Sequence, residues 1–177
     1  MRRIILYTAA SIDAMIARSN GSVGWLDSPR FRMTGEDFGF ASLLRSIDTT
    51  IMGHTIYRQM RSFGTGLPGE ASRHYVLTRS STRRPAEGVR FLSVNILPTL
   101  RKLRSEKGKH IWLVGGGEIN TVMMNAGLVD TIVLTTIPVV LGNGIPLFTA
   151  KVRPAQFRLK KRIRFANGFV QSIWDRR

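Results

Sequence analysis

Three consecutive glycines, Gly115, Gly116 and Gly117, stand between an apolar segment, IWLV, and a helix-like segment, EINTVMM. A strand that turns tightly into a helix leaves backbone N–H groups at the positive end of the helix dipole. Such a place can bind an anion, and the pyrophosphate of a dinucleotide is a natural ligand for it. The same glycines can also form a tight turn that binds nothing, and the local sequence leaves both interpretations open.

Two common phosphate-binding loops do not fit this stretch. A Rossmann fingerprint needs a glycine where Asn120 stands and an acid at the end of the next strand, but that strand, TIVLTTIPVV, contains no acid. A P-loop needs Gly-Lys-Ser/Thr, and the chain has Gly117-Glu118-Ile119 instead. A ligand at this turn would therefore be bound by another geometry.

The other side chains exclude several kinds of chemistry. The chain has no cysteine, which excludes disulfides, zinc-thiolate sites and thiol nucleophiles. We find no arrangement of Ser, His and Asp that suggests nucleophilic catalysis, and we expect no metal site. His74 and His110 stand at the starts of predicted strands, where we expect structural roles.

The charge of the chain is unusual. It has 27 Lys and Arg against 11 Asp and Glu, a formal net charge of +16, which would attract a polyanion or a phosphorylated cofactor or substrate. The cations are spread along the sequence, and no basic motif is interleaved with aromatic residues. We therefore do not expect nucleic acid as the partner, and the arginine content can also reflect a GC-rich source.

The N-terminus, MRRIILYTAASIDAMIA, combines basic and apolar residues. Asp13 interrupts its apolar run and no cleavage site follows, so we read a first strand rather than a signal peptide. No apolar run approaches the roughly 20 residues that a transmembrane helix needs. We expect a cytoplasmic protein without a membrane partner.

Strand-like and helix-like segments alternate, which predicts an α/β domain. With no repeat or linker, we expect one domain over residues 1–177. The predicted strands are Ile4–Ala10, Thr49–Gly53, His74–Thr78, Val89–Ser93, His110–Val114 and Thr131–Val140. The predicted helices are Thr34–Ser46, opened by a capping box, His54–Met60, Leu97–Glu106 and Glu118–Ala126. A turn at Leu67–Gly69 and a hairpin at Asn167-Gly168 complete the pattern.

Four ordered stretches resemble the dihydrofolate-reductase-like superfamily: LYTAASIDAMIA, TTIMGHTIYRQM, LPGEASRHYVLTRS, and IWLVGGGEINTVMM with NAGLVDTIVLTTIPVVLGNGIPLF behind it. Within that superfamily the chain is similar to the branch containing the reductase domain of riboflavin biosynthesis. The resemblance implies a three-layer α/β/α fold, with a mostly parallel central sheet that ends in a C-terminal antiparallel hairpin. It also implies a homodimer, which the apolar strand TIVLTTIPVV would help to form.

The resemblance implies NADPH lying across the carboxyl ends of the strands, with Gly115–Gly117 accepting its pyrophosphate and a cis peptide between Gly115 and Gly116. On the cofactor side it implies Ala9, Ile16, Ala17, Gly53, His54, Thr55, Leu77, Thr78, Arg79, Val114, Gly115, Gly116, Gly117, Glu118, Ile119 and Val122. On the substrate side it implies Asp13 and Trp25 as catalytic residues and Ser11, Arg30 and Thr136 as binding residues.

Two departures from the family pattern concern the cofactor side. His54 replaces the arginine of the Met-Gly-Arg segment, which is expected to contact the 2′-phosphate of NADPH. Histidine is only partly charged near pH 7, so Arg79, Arg58 or Arg83 would have to replace it, and the preference for NADPH over NADH is open. Ala14 replaces the glycine of an Asp-Gly pair, which would alter the loop over the site.

A third departure concerns the substrate. Counting from Trp25, Arg30 stands where dihydrofolate reductases place the carboxylate that holds the pterin, and Asp27 is out of register. In the riboflavin branch the substrate carries a ribose phosphate, which an arginine would suit.

We therefore expect an NADPH-dependent reductase that transfers hydride from the nicotinamide C4 to a small heterocyclic or ribosylaminopyrimidine-type substrate. A true dihydrofolate reductase is the second hypothesis. A basic binding module without catalysis, for a nucleotide or nucleic acid, is the third.

Overall fold

The computed structural model describes residues 1–62, 64, 66–68, 71, 73–80 and 86–177. Gly69 falls outside these residues, and with it the predicted turn at Leu67–Gly69, as does Arg83, one of the candidates for the 2′-phosphate. No helix in the described part of the chain is long and apolar enough to cross a membrane.

Ten strands lie in the described residues. They are β1 (Ile4–Ser11), β2 (Met15–Ala17), β3 (Ile47–Gly53), β4 (Arg73–Leu77), β5 (Val89–Leu92), β6 (His110–Gly115), β7 (Thr131–Ile137), β8 (Ile145–Pro146), β9 (Phe157–Arg164) and β10 (Val170–Arg176). Eight of them form one sheet in the order β5-β4-β3-β6-β1-β7-β10-β9. The first six strands of that order, from β5 to β7, run parallel to one another. Strand β10 runs antiparallel to both of its neighbours, β7 and β9. The prediction of a mostly parallel sheet with a terminal hairpin is confirmed.

Helices cover both faces of this sheet. They are α1 (Phe40–Ser46), α2 (His54–Ser62), α3 (Ile96–Ser105) and α4 (Gly117–Asn125), with short 3-10 turns at Gly24–Asp27 and Pro29–Phe31. Leu100 of α3 and Met123 of α4 pack on Leu6 on one face. On the other face α1 and α2 pack on clusters around Trp112 and Met52. These three layers bury the core.

The predicted helix Thr34–Ser46 begins only at Phe40, so the prediction of helix over residues 34–39 is wrong. Gly35, Phe38 and Gly39 have positive φ angles of 78°, 56° and 85°, which no right-handed helix contains. The helix is instead capped by Asp37, whose carboxylate accepts hydrogen bonds from the backbone N–H of Gly39 and of Ala41, each at 2.8 Å.

Two short strands were not predicted. β2 and β8 pair antiparallel, through Met15 with Pro146 and Ala17 with Ile145, in a separate sheet beside the large one. Strands of three and two residues are too short to show a period of two in the sequence.

The end of β7 was also misplaced: it stops at Ile137, three residues before the predicted end, because Pro138 cannot donate to the ladder. Both edges of β7 are paired inside the chain, with β1 and with β10. The place of β7 inside the sheet accounts for its apolar sequence. Because both of its edges are paired, a second copy of the chain could contact only the faces of β7. The homodimer stays a prediction.

A buried ion pair joins the amino ends of β1, β3 and β6. Arg2, which is 2% exposed, donates to the Asp48 carboxylate, to Thr49 Oγ1 (2.7 Å) and to the Lys109 carbonyl (2.6 Å). Burial would raise the pKa of Asp48, but the hydrogen bonds from Thr49 and the Lys109 N–H, with the charges of Arg2 and Arg73, outweigh it and lower that pKa.

Asp48→Ala is expected to destabilise the protein by about 3 kcal/mol at pH 7, because it leaves the Arg2 guanidinium buried without its counter-ion. The folded pKa of Asp48 is lowered, so its contribution is present above the unfolded value of 3.8 and is lost as the pH falls through the folded value. Urea unfolding at pH 7 and in steps toward about pH 3 should show the difference from wild type shrinking. Glu87→Ala, which removes an exposed carboxylate, is the control; an equal loss of stability would contradict the assignment.

Candidate active site

The carboxyl ends of five parallel strands meet at one edge of the large sheet. Residues at these ends are Ser11 of β1, Gly53 of β3, Leu77 of β4, Gly115 of β6 and Ile137 of β7. In open α/β sheets this edge is where ligands bind. Most of the predicted site residues are at this edge or in the segments that leave it.

The glycine turn has a different backbone from the predicted one. The described residues contain no cis peptide bond, so the predicted cis bond between Gly115 and Gly116 is wrong. Gly115 and Gly116 instead have φ angles of 109° and 90°. The chain reverses through these two positive angles, which glycine adopts without a steric penalty.

The three glycines are needed for different reasons. A Cβ on Gly115 would lie 2.9 Å from Asn120 Oδ1, and one on Gly117 would lie closer than 3.0 Å to the carbonyl oxygen of Pro146. A Cβ on Gly116 would meet only Ile56 Cγ1, at 3.7 Å. Gly115 and Gly117 therefore serve packing within the protein, and Gly116 is the one with space beside it.

The start of α4 offers the backbone groups that an anion needs. Its first internal hydrogen bond runs from the Asn120 N–H to the Gly116 carbonyl, at 2.9 Å, and no side chain caps the helix at Gly116 in the described structure. Gly116 itself is half-buried. The N–H groups of the first turn and the helix dipole therefore fit a pyrophosphate here.

A segment after β7, residues 138–149, crosses this edge, and we call it the crossing segment. It pairs with β2, and its Leu147 N–H donates to the Ala14 carbonyl at 2.9 Å. On its other side, Asn120 Nδ2 of α4 donates to the Leu147 carbonyl at 3.0 Å, and the Thr149 N–H donates to Thr121 Oγ1 at 2.8 Å. The crossing segment thus joins the loop after β1 to the start of α4.

Asp13 also holds the crossing segment. Its carboxylate accepts hydrogen bonds from Ser11 Oγ (2.5 Å), the Leu141 N–H (3.1 Å) and the Gly142 N–H (2.8 Å). The hydrogen bond from Ser11, followed by those from Leu141 and Gly142, lowers the pKa of Asp13. Asp13 is therefore ionised at neutral pH and cannot donate a proton there, although it can still accept one further hydrogen bond.

Four further cofactor-side residues, Gly53, His54, Arg79 and Glu118, lie in different surroundings. Gly53 lies beside α4, since a Cβ there would be 3.2 Å from Ile119 Cγ1. The half-buried His54 ring lies 6.2 Å from Tyr57 and 6.4 Å from Phe91. On the solvent side Arg79 Nη2 and Glu118 Oε2 form an exposed ion pair at 2.9 Å.

Several predicted contacts are placed in or near the core. Leu77 is 4% exposed, and the Thr78 N–H donates to the Leu92 carbonyl at 2.9 Å. Val114 and Ile16 are half-buried and pack in the core clusters, and Ala17 is buried. The last two positions, Thr55 of α2 and Val122 of α4, are exposed. Leu77 can therefore offer a ligand little more than its backbone.

Trp25 is 8% exposed and packs with Phe31, Phe169 and Ala9 at the end of β7. Its indole N–H is buried and has no hydrogen-bond partner in the described structure. Thr136 pairs with Ala10, the neighbour of Ala9, so its side chain lies on the opposite face of the sheet. Trp25 and Thr136 are therefore not brought together.

A cleft of about 490 Å³ opens beside Trp25. It is lined by Leu26, Asp27, Phe31, Arg32, Met33, Thr34, Phe38 and Phe169. The predicted Arg30 is exposed and its guanidinium lies 5.6 Å from the centre of the Phe31 ring. Sequence reasoning missed the aromatic walls, because Phe169 comes from the distant hairpin and nothing in the sequence links it to Phe31.

Solved structures share this architecture. A candidate riboflavin biosynthesis protein from Shewanella sp. PV-4 aligns with a TM-score of 0.87 at 25% identity, over 100% of this chain and 99% of that chain. The diaminohydroxyphosphoribosylaminopyrimidine deaminase/5-amino-6-(5-phosphoribosylamino)uracil reductase of Thermotoga maritima aligns with a TM-score of 0.71 at 14% identity. That alignment covers 99% of this chain and 57% of the longer one, and it shows a shared fold. The predicted fold class is confirmed.

Sequence comparison defines the family. The sequence profile of the RibD C-terminal domain matches residues 2–171. The uncharacterized protein YwjB of Bacillus subtilis strain 168 is 35% identical over 159 residues, 90% of each chain. The uncharacterized protein YyaP of the same strain is 31% identical over 187 residues, 98% of this chain and 94% of the relative. The chain belongs to the RibD C-terminal domain family, which confirms the resemblance seen in its motifs.

Gly117→Ala is expected to destabilise the protein by about 2 kcal/mol or more, because the new methyl group would push the Pro146 backbone away from α4. Gly127→Ala is the control: Gly127 has a φ of 69° and open space around it, so only the conformational cost of about 1 kcal/mol applies. Urea unfolding of both variants measures the difference. Equal losses would show that the contact between Gly117 and Pro146 is not tight.

Proposed function

We propose that this protein is an NADPH-dependent reductase that transfers hydride to a ribosylaminopyrimidine-type substrate. The observation that carries the proposal is the uncapped start of α4 behind Gly116, which opens at the carboxyl edge of the sheet. Membership in the RibD C-terminal domain family supports it, as does the name of the Thermotoga maritima protein, which is a 5-amino-6-(5-phosphoribosylamino)uracil reductase.

The residues present fit the phosphates of NADPH. Gly116 and the first turn of α4 would hold the pyrophosphate through backbone N–H groups. Arg79, at the end of β4, is exposed and close enough to α4 to pair with Glu118, so its guanidinium would bind the 2′-phosphate. His54 is nearer the sheet and would assist as a hydrogen-bond donor.

When bound, NADPH would supply the hydride from C4 of its nicotinamide. The residues of the chain would orient the two reactants and exclude water. Ile16 and Ala17, which the crossing segment fixes through β8, would contact the nicotinamide, and Trp25 would close the site behind Ala9. The ionised Asp13 would accept a hydrogen bond from a substrate hydroxyl rather than donate a proton.

The cleft fits a flat ring that carries an anionic group. Phe31 and Phe38 form apolar walls on which a heterocycle can stack. Arg32 lies in the lining and Arg30 stands over Phe31 at the rim, where either guanidinium would suit a ribose phosphate.

One observation keeps dihydrofolate as a second candidate substrate. Asp27, which is out of register in the sequence, lines the cleft in the structure. An exposed carboxylate there can accept hydrogen bonds from the edge of a pterin as well as from a pyrimidine.

Three measurements test the proposal. NADPH titration, followed by quenching of tryptophan fluorescence, should give saturable binding, and its absence would contradict the reductase function. Loss of NADPH absorbance is then compared between 5-amino-6-(5-phosphoribosylamino)uracil and dihydrofolate. Turnover with dihydrofolate alone would replace the first substrate class by the second. Salt-sensitive DNA retention without nicotinamide binding would favour a binding module.

Arg79→Ala is expected to weaken NADPH binding about tenfold and to leave NADH binding unchanged, because only NADPH carries the 2′-phosphate. Glu118→Gln, which frees Arg79 from its ion pair, should strengthen NADPH binding a few-fold. Arg101→Ala removes an exposed cation of α3 at a different place and is the control. Equal effects on both nucleotides would remove Arg79 from the 2′-phosphate site.

Asp13→Asn is expected to reduce kcat/KM about tenfold without altering the shape of its pH profile, because the carboxylate positions backbone and substrate and does not titrate near neutral pH. The pH profile of wild type and variant measures this. Loss of one limb of the profile in the variant would identify Asp13 as a proton donor instead.

A further inference from the structure

Phe38 has an unusual backbone for a bulky residue. Its φ angle is 56°, in the left-handed region that a side chain of this size rarely adopts, and Gly39 follows with a φ of 85°. Such conformations cost on the order of 1 kcal/mol or more and persist only where the surroundings enforce them. The contacts of Phe38 therefore show what holds it.

Two side chains from the sheet converge on one atom of Phe38. Tyr7 Oη of β1 donates to the Phe38 carbonyl oxygen at 3.0 Å, and Gln171 Nε2 of β10 donates to the same oxygen at 2.8 Å. Gln171 is 3% exposed and also donates to Thr135 Oγ1 of β7 at 3.1 Å. Burial, with the nearby charge of Asp37, raises the pKa of Tyr7 to about 12, so its hydroxyl remains a donor at all ordinary pH values.

The ring of Phe38 is held as well as its carbonyl. It lies 4.9 Å from the Phe165 ring in an edge-to-face arrangement and 5.3 Å from the Phe169 ring. The N–H of Phe38 donates to Glu36 Oε1 at 2.7 Å, which completes the turn. Phe38 lines the cleft, so a movement of its backbone would change the shape of the cleft.

We propose that Tyr7 and Gln171 are positioning residues for substrate recognition, which fix Phe38 in the wall of the cleft by holding its carbonyl oxygen. Neither residue lines the cleft itself. The inference rests on the proposed function, because it takes the cleft as the substrate site. It adds two residues from the buried face of the sheet whose effect on binding is exerted through Phe38.

The test uses uridine 5′-monophosphate as the probe, since it combines a pyrimidine ring with a ribose phosphate. Titration calorimetry with the full-length protein gives its Kd, and a separate titration gives the Kd for NADPH. Tyr7→Phe and Gln171→Leu should each weaken binding of uridine 5′-monophosphate about fivefold, because each removes one of the two hydrogen bonds to the Phe38 carbonyl, and each should change NADPH binding less than twofold. Tyr75→Phe, a buried tyrosine of β4, is the matched control and should change neither.

A double-mutant cycle separates positioning from general damage to the fold. Phe38→Gly removes the ring and adopts the left-handed backbone freely. In that background Tyr7→Phe should cause no further weakening, because there is no ring left to position. Where Tyr7→Phe fails to fold, Gln171→Leu carries the same cycle.

Four results would overturn the inference. Equal weakening of both ligands, or the same effect of Tyr7→Phe with and without the ring, would reduce the two residues to a structural role. Wild-type protein that binds NADPH but not uridine 5′-monophosphate would refute this use of the cleft and leave the reductase function standing. Protein that binds neither would refute the proposed function as well.

Discussion

The carbonyl oxygen of Pro146 lies against the Cα of Gly117, and this contact between two backbones organises the candidate site. It lets the crossing segment lie directly on the start of α4, where any side chain would separate them. From there the segment pairs with β2, its Gly142 N–H donates to the Asp13 carboxylate, and its Leu147 carbonyl accepts a hydrogen bond from Asn120 Nδ2. The loop after β1 and the glycine turn after β6 are therefore joined through the crossing segment.

The distribution of charge over the sheet follows from the same geometry. Near the amino ends of the parallel strands, Asp48, Asp130 and Asp175 are paired with arginines. At the carboxyl edge, Asp13 and Asp37 accept hydrogen bonds from backbone N–H groups instead. The acids at this edge thus fix the backbone around the candidate site.

The sequence predicts the sheet far better than it predicts the site. Apolar runs such as Ile4–Ala10 and His110–Val114 mark strands because both faces of a parallel strand are buried. The helix predicted from Thr34 failed because Phe38 takes a left-handed backbone that depends on Tyr7 and Gln171, residues far away in the chain. The family pattern led to a cis bond after Gly115, whereas here two positive φ angles make the same reversal. The cleft beside Trp25 was not predicted, since its walls come from segments that are far apart in the sequence.

The three glycines show why a local motif was ambiguous. Gly115 gives room to Asn120, Gly117 gives room to Pro146, and Gly116 is the one that leaves space for something else. The structure therefore shows a tight turn at Gly115 and Gly117, and the proposed anion site rests on Gly116 alone. Because two of the three glycines are required by packing alone, the run would be needed even in a protein that bound no phosphate. The case for a ligand accordingly depends on Gly116 and the uncapped start of α4, and not on the number of glycines.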